Sequence, residues 1–193
     1  LKGMIERTVA VAGAAEDRRG HVNGILLENL ETEDARVLRM VSTDGSRLCL
    51  AQHRLEEGRE IPFESGSLIP KKGLNEVARF LGSQGSVKIG LKDSQFIVKK
   101  ERETIIIRLL EGDFPKYDSI IAKDGNAIKM DRQAFLRMLK RMSILSSETY
   151  KGVIFNYGAD KLVVNTTNPD IGESKEDMVI DFQADPIEAA FNP

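Results

Sequence analysis

Ser146-Ser147-Glu148 offers hydroxyls beside an acid, and His21 and His53 are the only imidazoles available to activate them. Nucleophilic chemistry needs a base within hydrogen-bonding reach of the hydroxyl and donors aimed at the developing oxyanion. Neither a nucleophile elbow nor a paired-carboxylate pattern surrounds these residues. An enzyme built on Ser147 and His21 is thus an alternative without a constellation behind it. Cys49 is the sole cysteine, which excludes an intrachain disulfide and a thiolate-rich metal site. No lysine follows a glycine run at phosphate-loop spacing. The acidic run at 170–177, DIGESKED, lacks the alternating ligands of a calcium loop and reads as a solvated loop. The expectation is no catalytic residue, no metal and no cofactor.

Binding is the remaining class of chemistry. Formal net charge is −2, so the whole chain is not drawn to nucleic acid, but the charge is unevenly spread. Residues 1–19 carry Lys2, Arg7, Arg18 and Arg19 against Glu6, Glu16 and Asp17, and residues 70–80 carry Lys71, Lys72 and Arg79 against Glu76 alone. Residues 131–151 carry Arg132, Arg137, Lys140, Arg141 and Lys151 against Asp131 and Glu148. These three windows are also the ones with helical periodicity, and local fields act over about 10 Å at moderate salt. Lys71-Lys72 stands at a helix start, where the dipole prefers carboxylates. Such a pair is either ordinary surface or a phosphate contact, and RRGH at 18–21 has the same two readings. Thr43-Asp44-Gly45, between VLRMVS and RLCLA, is a strong hairpin signal with both central residues at positive φ. Whether it also lines a site is left to the rest of the chain.

The elements that must position these residues follow from periodicity. A helix is expected over residues 1–16, with Leu1, Met4, Ile5, Ala12 and Ala15 apolar. HVNGILLENL, ARVLRMVS, SRLCLAQHRL and SLIP read as strands. Pro70 then opens a helix whose Leu74, Val77, Ala78 and Leu81 form one stripe. SVKIGL, QFIVKK and TIIIRLL are strands with KDSQ and KERE as turns, and residues 111–125, containing EGDFPKY, read as a linker. The signals then restart. AIKM is strand-like, Arg132–Met142 is a helix with Phe135, Met138, Leu139 and Met142 inward, and GVIFNY, KLVVNTT and DMVIDF are strands. LKGMIER pairs with FLRMLKR, NGILLEN with KGVIFNY, and LRMVSTDG with LVVNTTNP, a weak repeat that implies duplicated domains. In the second copy nothing before Pro193 reads as a second helix or last strands. The opening LKGMIERT has neither an initiator Met nor a signal pattern, and reads as part of a longer chain. No run of 18 apolar residues exists, so no spanning helix is expected, and the setting expected is a reducing cytoplasm.

IPKKGLNEVARFL, STDGSRL, EGDFPKY, ILSSETYKGVIF and the NPD…DPIEAAFNP tail together resemble the bacterial DNA polymerase III beta subunit, the replicative sliding clamp. The resemblance runs through essentially all 193 residues in family order. It implies an α+β DNA-clamp fold of tandem similar domains, helices on the inner face and antiparallel sheets outside. Residues 1–118 would be the middle domain and 119–193 an incomplete C-terminal domain. The implied function is non-enzymatic: a processivity factor encircling double-stranded DNA without regard to sequence and tethering partners. An unrelated nucleic-acid- or peptide-binding module with a duplicated domain is the alternative.

By position the resemblance implies DNA contacts at Arg18, Arg19, His21, Lys71 and Lys72. It implies a pocket for short peptides of the polymerase catalytic subunit and the clamp loader at Val22, Thr43, Gly45, Ser46, Arg47, Leu48, Pro115, Ser119, Ile120, Tyr150 and Asn192. Val22 stands where a leucine is common, and Ser119 where some members have arginine. Ile144 and Leu145, which read as core or subunit contact by themselves, match the apolar part of a homodimer seam. The acidic 170–177 loop would face basic residues there.

Overall fold

The computed structural model describes residues 1–13, 20–56, 61, 66–121, 125–147, 149 and 152–192. The chain divides into two compact units, Leu1–Tyr117 and Asp118–Pro193.

In the first unit, α1 (Lys2–Val9) buries Met4, Ile5 and Thr8, the residues one helical turn apart. It is shorter than the expected 1–16. The Thr8 hydroxyl donates back to the Met4 carbonyl at 2.9 Å, and the N–H groups of Val11 and Ala12 both turn onto the Thr8 carbonyl. Ser42 Oγ also donates to that carbonyl at 2.7 Å, so the end of the helix is satisfied by a strand side chain. Gly13 N–H then donates to Val22 O at 2.8 Å. A Cβ on Gly13 would fall 2.2 Å from Val22 Cγ1, so only glycine permits this approach.

A turn of 3-10 helix at Gly20–Asn23 leads into β1 (Gly24–Glu31), so the strand expected from His21 begins three residues later. β2 (Arg36–Thr43), β3 (Leu48–Arg54) and β4 (Ser67–Pro70) complete an antiparallel sheet in the order β3-β2-β1-β4. Period-two alternation gives it two apolar faces. Ile25, Leu27, Leu38, Met40 and Ala51 join the main core with α1 and α2 (Lys71–Phe80), whose Leu74 and Val77 are fully buried. β5 (Lys88–Lys92), β6 (Gln95–Lys100) and β7 (Glu103–Arg108) form a second sheet that adds Phe96, Val98 and Ile107 to that core.

The opposite face of the first sheet is covered by the segment read as a linker. Leu26, Val41, Leu48 and Leu50 pack against Phe114 and Tyr117, and Tyr117 is only 4% exposed. Residues 114–117 therefore belong to the first unit's packing, because two aromatics bury more apolar area there than a solvated linker could.

In the second unit, α3 (Arg132–Met142) is capped by Asp131, whose Oδ1 accepts the Ala134 N–H at 2.6 Å. β8 (Val153–Gly158), β9 (Lys161–Asn168), β10 (Gly172–Val179) and β11 (Ile187–Phe191) form an antiparallel sheet in the order β10-β9-β8-β11. Met138 and Met142 of α3 pack on Val153, Phe155, Leu162 and Val164.

Four expectations change here. AIKM contributes a single bridge, Lys129 to Asp181, and is no strand. The acidic 170–177 run is mostly strand, since Gly172 to Val179 pair residue by residue with Asn168 to Lys161. DMVIDF accordingly splits at Val179, where β10 ends. β11 lies in the tail, where no strand was expected. Among the described residues no helix is long and apolar enough to cross a membrane.

Candidate functional site

The loop between β2 and β3 is built differently from its sequence signal. Pairing ends at Thr43 opposite Leu48, which leaves the four-residue loop Asp44–Arg47. Gly45 alone is at positive φ, 92°, and Asp44 is not, so this is not the two-residue turn expected from Asp-Gly. Side chains close the loop. Asp44 Oδ1 accepts the N–H groups of Ser46 and Arg47, each at 3.0 Å, and Oδ2 accepts Arg47 Nε at 2.9 Å. Thr43 Oγ1 accepts the Gly45 N–H at 3.0 Å and donates to Arg47 O at 2.8 Å. Partial burial pushes the Asp44 carboxyl up, but hydrogen bonds from the Arg47 guanidinium and two backbone N–H groups outweigh it and hold the pKa below 3.8. Gly45, Ser46 and Arg47 are exposed on this braced loop, with Thr43 half-buried at its base.

Leu48 is half-buried in the outer apolar cluster, and Pro115 is exposed between the two anchoring aromatics Phe114 and Tyr117. Val22 is 1% exposed and offers no open surface itself. Tyr117 is fixed by more than burial. Its hydroxyl donates to Glu28 Oε2 and accepts from Arg39 Nη1 at 3.0 Å. Phe114 meets its ring edge-on with centroids 6.2 Å apart. Burial first, and then the Glu28 carboxylate, push the Tyr117 phenol up to about 12. Sequence reasoning missed this anchor. Its signals were two aromatics within a polar segment and apolar residues on the supposedly solvated face of three strands.

Of the basic residues, Lys71 and Lys72 both open α2 but differ in setting. Lys71 is half-buried with its ammonium on the Ala12 carbonyl at 2.6 Å, whereas Lys72 is exposed. Arg18 and Arg19 lie outside the described residues. His21 has its backbone in the 3-10 turn, and its side chain also lies outside what is described.

In the second unit Ser119, Ile120 and Asn192 are exposed, Ile120 at 66%. Tyr150 lies outside the described residues. Ile144 is 73% exposed and Leu145 half-buried in a 3-10 turn after α3. Asn168, itself buried, donates its amide to Leu145 O at 2.8 Å and pins that turn. Nearby on the sheet edge, Arg141 holds Glu176 through both carboxylate oxygens. The hydrogen bond from Arg141 lowers the Glu176 pKa below 4.5. No group of three or more potential metal ligands occurs among the described residues.

These features can be set beside known proteins. The DNA polymerase III beta subunit central domain matches residues 1–116, and the C-terminal domain of the same subunit matches residues 119–193. A beta sliding clamp of Pseudomonas putida is 34% identical over 194 aligned residues, covering all of this chain and 51% of that protein. That of Pseudomonas aeruginosa is 31% identical with the same coverage. A crystal structure of the P. aeruginosa subunit superimposes with a TM-score of 0.87 at 29% identity, covering 99% of this chain and 51% of that one. A Bartonella birtlesii sliding clamp bound to griselimycin does so with a TM-score of 0.88 at 25% identity, again covering 99% and 51%. The chain thus spans about half the length of the relatives it matches. With both domain matches in chain order and a fold that superimposes almost from end to end, the chain belongs to the DNA polymerase III beta subunit family.

Proposed function

We propose that this chain forms part of a sliding clamp, a non-catalytic processivity factor that encircles duplex DNA and tethers replication proteins in the cytoplasm. The observation that carries the reading is the pair of family domains in order across the chain, in relatives named as beta sliding clamps. Residues 1–118 serve as the middle domain and 119–193 as part of the C-terminal one. Basic residues at Arg18, Arg19, His21 and Lys72 attract phosphates without reading bases, which is what sliding requires, while the Lys71 ammonium is held on the Ala12 carbonyl.

The polymerase catalytic subunit and the clamp loader insert a short peptide over the braced loop. Thr43, Gly45, Ser46 and Arg47 supply its polar edge, Leu48 and Pro115 its apolar contacts, and Val22 supports it from beneath. The resemblance assigns Ser119, Ile120, Tyr150 and Asn192 to peptide binding as well. A mostly apolar surface with a few fixed polar groups suits an extended peptide with Leu or Phe anchors. The griselimycin-bound Bartonella clamp supports a ligand site in this fold. Ile144, exposed on a pinned turn, and Leu145 meet a second copy to close a two-chain ring.

The test is a titration of a labelled polymerase C-terminal peptide into the full-length protein, with and without Leu48→Asp. Micromolar affinity, about −8 kcal/mol, is expected for the unaltered protein. A loss of about tenfold or more is expected for the variant, since a charge must then be buried in an apolar contact. Equal affinity for both would return the 43–48 loop to being only a turn.

A further inference from the structure

Cations are disfavoured at a helix N-terminus, yet two lysines open α2. For one of them the conflict has a structural answer. The Lys71 ammonium donates to the Ala12 carbonyl at 2.6 Å and approaches the Gly13 carbonyl at 3.5 Å. The Ala12 carbonyl belongs to the turn that ends α1, whose Val11 and Ala12 N–H groups close on Thr8 O, and a helix's partial negative charge lies at that end, where a cation is favoured. The side chain thus reaches from the unfavourable end of its own helix to the favourable end of its neighbour. That turn is also held from the other side, by the Gly13 N–H on Val22 O and the close Gly13–Val22 packing. Lys72 is exposed and has no hydrogen bond or ion pair among the described residues.

We infer that the two lysines have separate jobs: Lys71 is a latch joining the end of α1 to the start of α2, and Lys72 is the one of the pair that meets phosphate. The Lys72 half rests on the DNA-binding reading above, while the Lys71 half rests on geometry. To reach a phosphate, Lys71 would have to give up a short charge-assisted hydrogen bond in a partly buried place and leave the Ala12 carbonyl without it. Losing both lysines should therefore reduce the salt dependence of DNA binding by one phosphate contact rather than two.

The experiment uses the full-length subunit carrying this sequence, a fluorescein-labelled duplex in a potassium chloride series, and thermal melting of the same samples. Lys72→Met should make the slope of log K against log salt shallower by about 0.9, with melting unchanged. Lys71→Met should leave the slope alone and lower the first unit's melting temperature by about 4 °C. Lys71→Gln keeps a donor without the charge. It should recover part of the melting loss at the unaltered slope, and it keeps the question open to measurement should the Met variant fail to fold. A slope for Lys71→Gln as shallow as that of Lys72→Met overturns the division. So does unaltered melting in Lys71→Met. If the unaltered subunit shows no salt-dependent DNA binding, the DNA reading falls together with the Lys72 assignment, while the melting series still decides whether Lys71 is a latch.

Discussion

The two units carry sheets wound in the same order, β3-β2-β1-β4 and β10-β9-β8-β11, each preceded by an amphipathic helix. Their registers correspond: Ile25 pairs with Ile69 in the first, and Val153 pairs with Phe191 in the second. Yet Ile69 is completely buried, whereas Phe191 is 50% exposed and Ile187, at the other end of the same strand, 42%. In the first unit the chain passes from β4 directly into α2, and α2 with the β5-β6-β7 sheet covers the inner face. Among the described residues of the second unit, α3 packs there with the segments that carry Ile128, Met130, Phe182 and Ala184, and no second α-helix or second sheet joins them. Strand order and pairing are thus shared, but burial is set by what is laid over the strands. A matched position can be core in one copy and surface in the other.

The largest effect should come from that matched pair. Ile69→Ala should destabilise the first unit by about 3 kcal/mol, the range for a filled core position. Phe191→Ala, though it removes more atoms, should cost about 1 kcal/mol, because half of the ring is already in water. Urea unfolding followed by a probe in each unit would measure both, and equal losses would break the comparison.

A second contrast lies on the outer faces, where the first unit has a Tyr117 anchor. Tyr117→Phe keeps the ring and removes the hydroxyl between Glu28 and Arg39, for an expected loss of about 1–2 kcal/mol. Alkaline titration sharpens the test. The phenol is raised to about 12 in the folded protein from about 10 unfolded. Its contribution is therefore whole below pH ~10 and is lost as pH rises toward ~12, a fall of about 2 kcal/mol. Tyr117→Phe should lack that fall. Tyr157 in the second unit is raised by burial alone and should give a smaller one.

The smallest effect should appear in acid. Asp44 in the first unit and Glu176 in the second are both held below their ordinary values, so each stabilises the fold above pH ~4 and ceases to as pH falls through its lowered pKa. Both are surface groups, so salt should weaken both contributions. Asp44→Asn and Glu176→Gln should flatten the acid limb of their own unit only, as read by unit-specific melting between about pH 2 and 5. A change in the other unit would show that the two do not respond independently.

How far the sequence carried depends on where each residue's partner lies. α2 was legible because Leu74, Val77 and Ala78 repeat at helical spacing within a few residues. The repeat showed the shared succession of helix, strand, hairpin and strand, though not the order of strands within each sheet. β11 was not legible, because IEAAF has no strict alternation and becomes a strand through pairing with β8 some thirty residues earlier. β10 was hidden by its charge, which an edge strand can carry on its exposed side chains. The loop at 44–47 misled because local propensity favours two positive-φ residues, while the Asp44 side chain favours a wider loop closed by its own hydrogen bonds. The latch at Lys71 was invisible, since its acceptor lies 59 residues away. Of the pocket expected by resemblance, the loop residues are seen in detail, while Tyr150 falls outside the described residues.

β10 also bears on how the protein behaves in a crowded solution. A strand of eight residues at the edge of a sheet exposes a row of backbone donors and acceptors onto which another chain could add. Here Glu173, Lys175, Glu176 and Asp177 follow closely along it, and Glu176 is tied down by Arg141. A stray strand joining this edge would have to match that sequence of charges or strip them of water. The edge thus resists indiscriminate strand addition and favours a partner face of opposite charge.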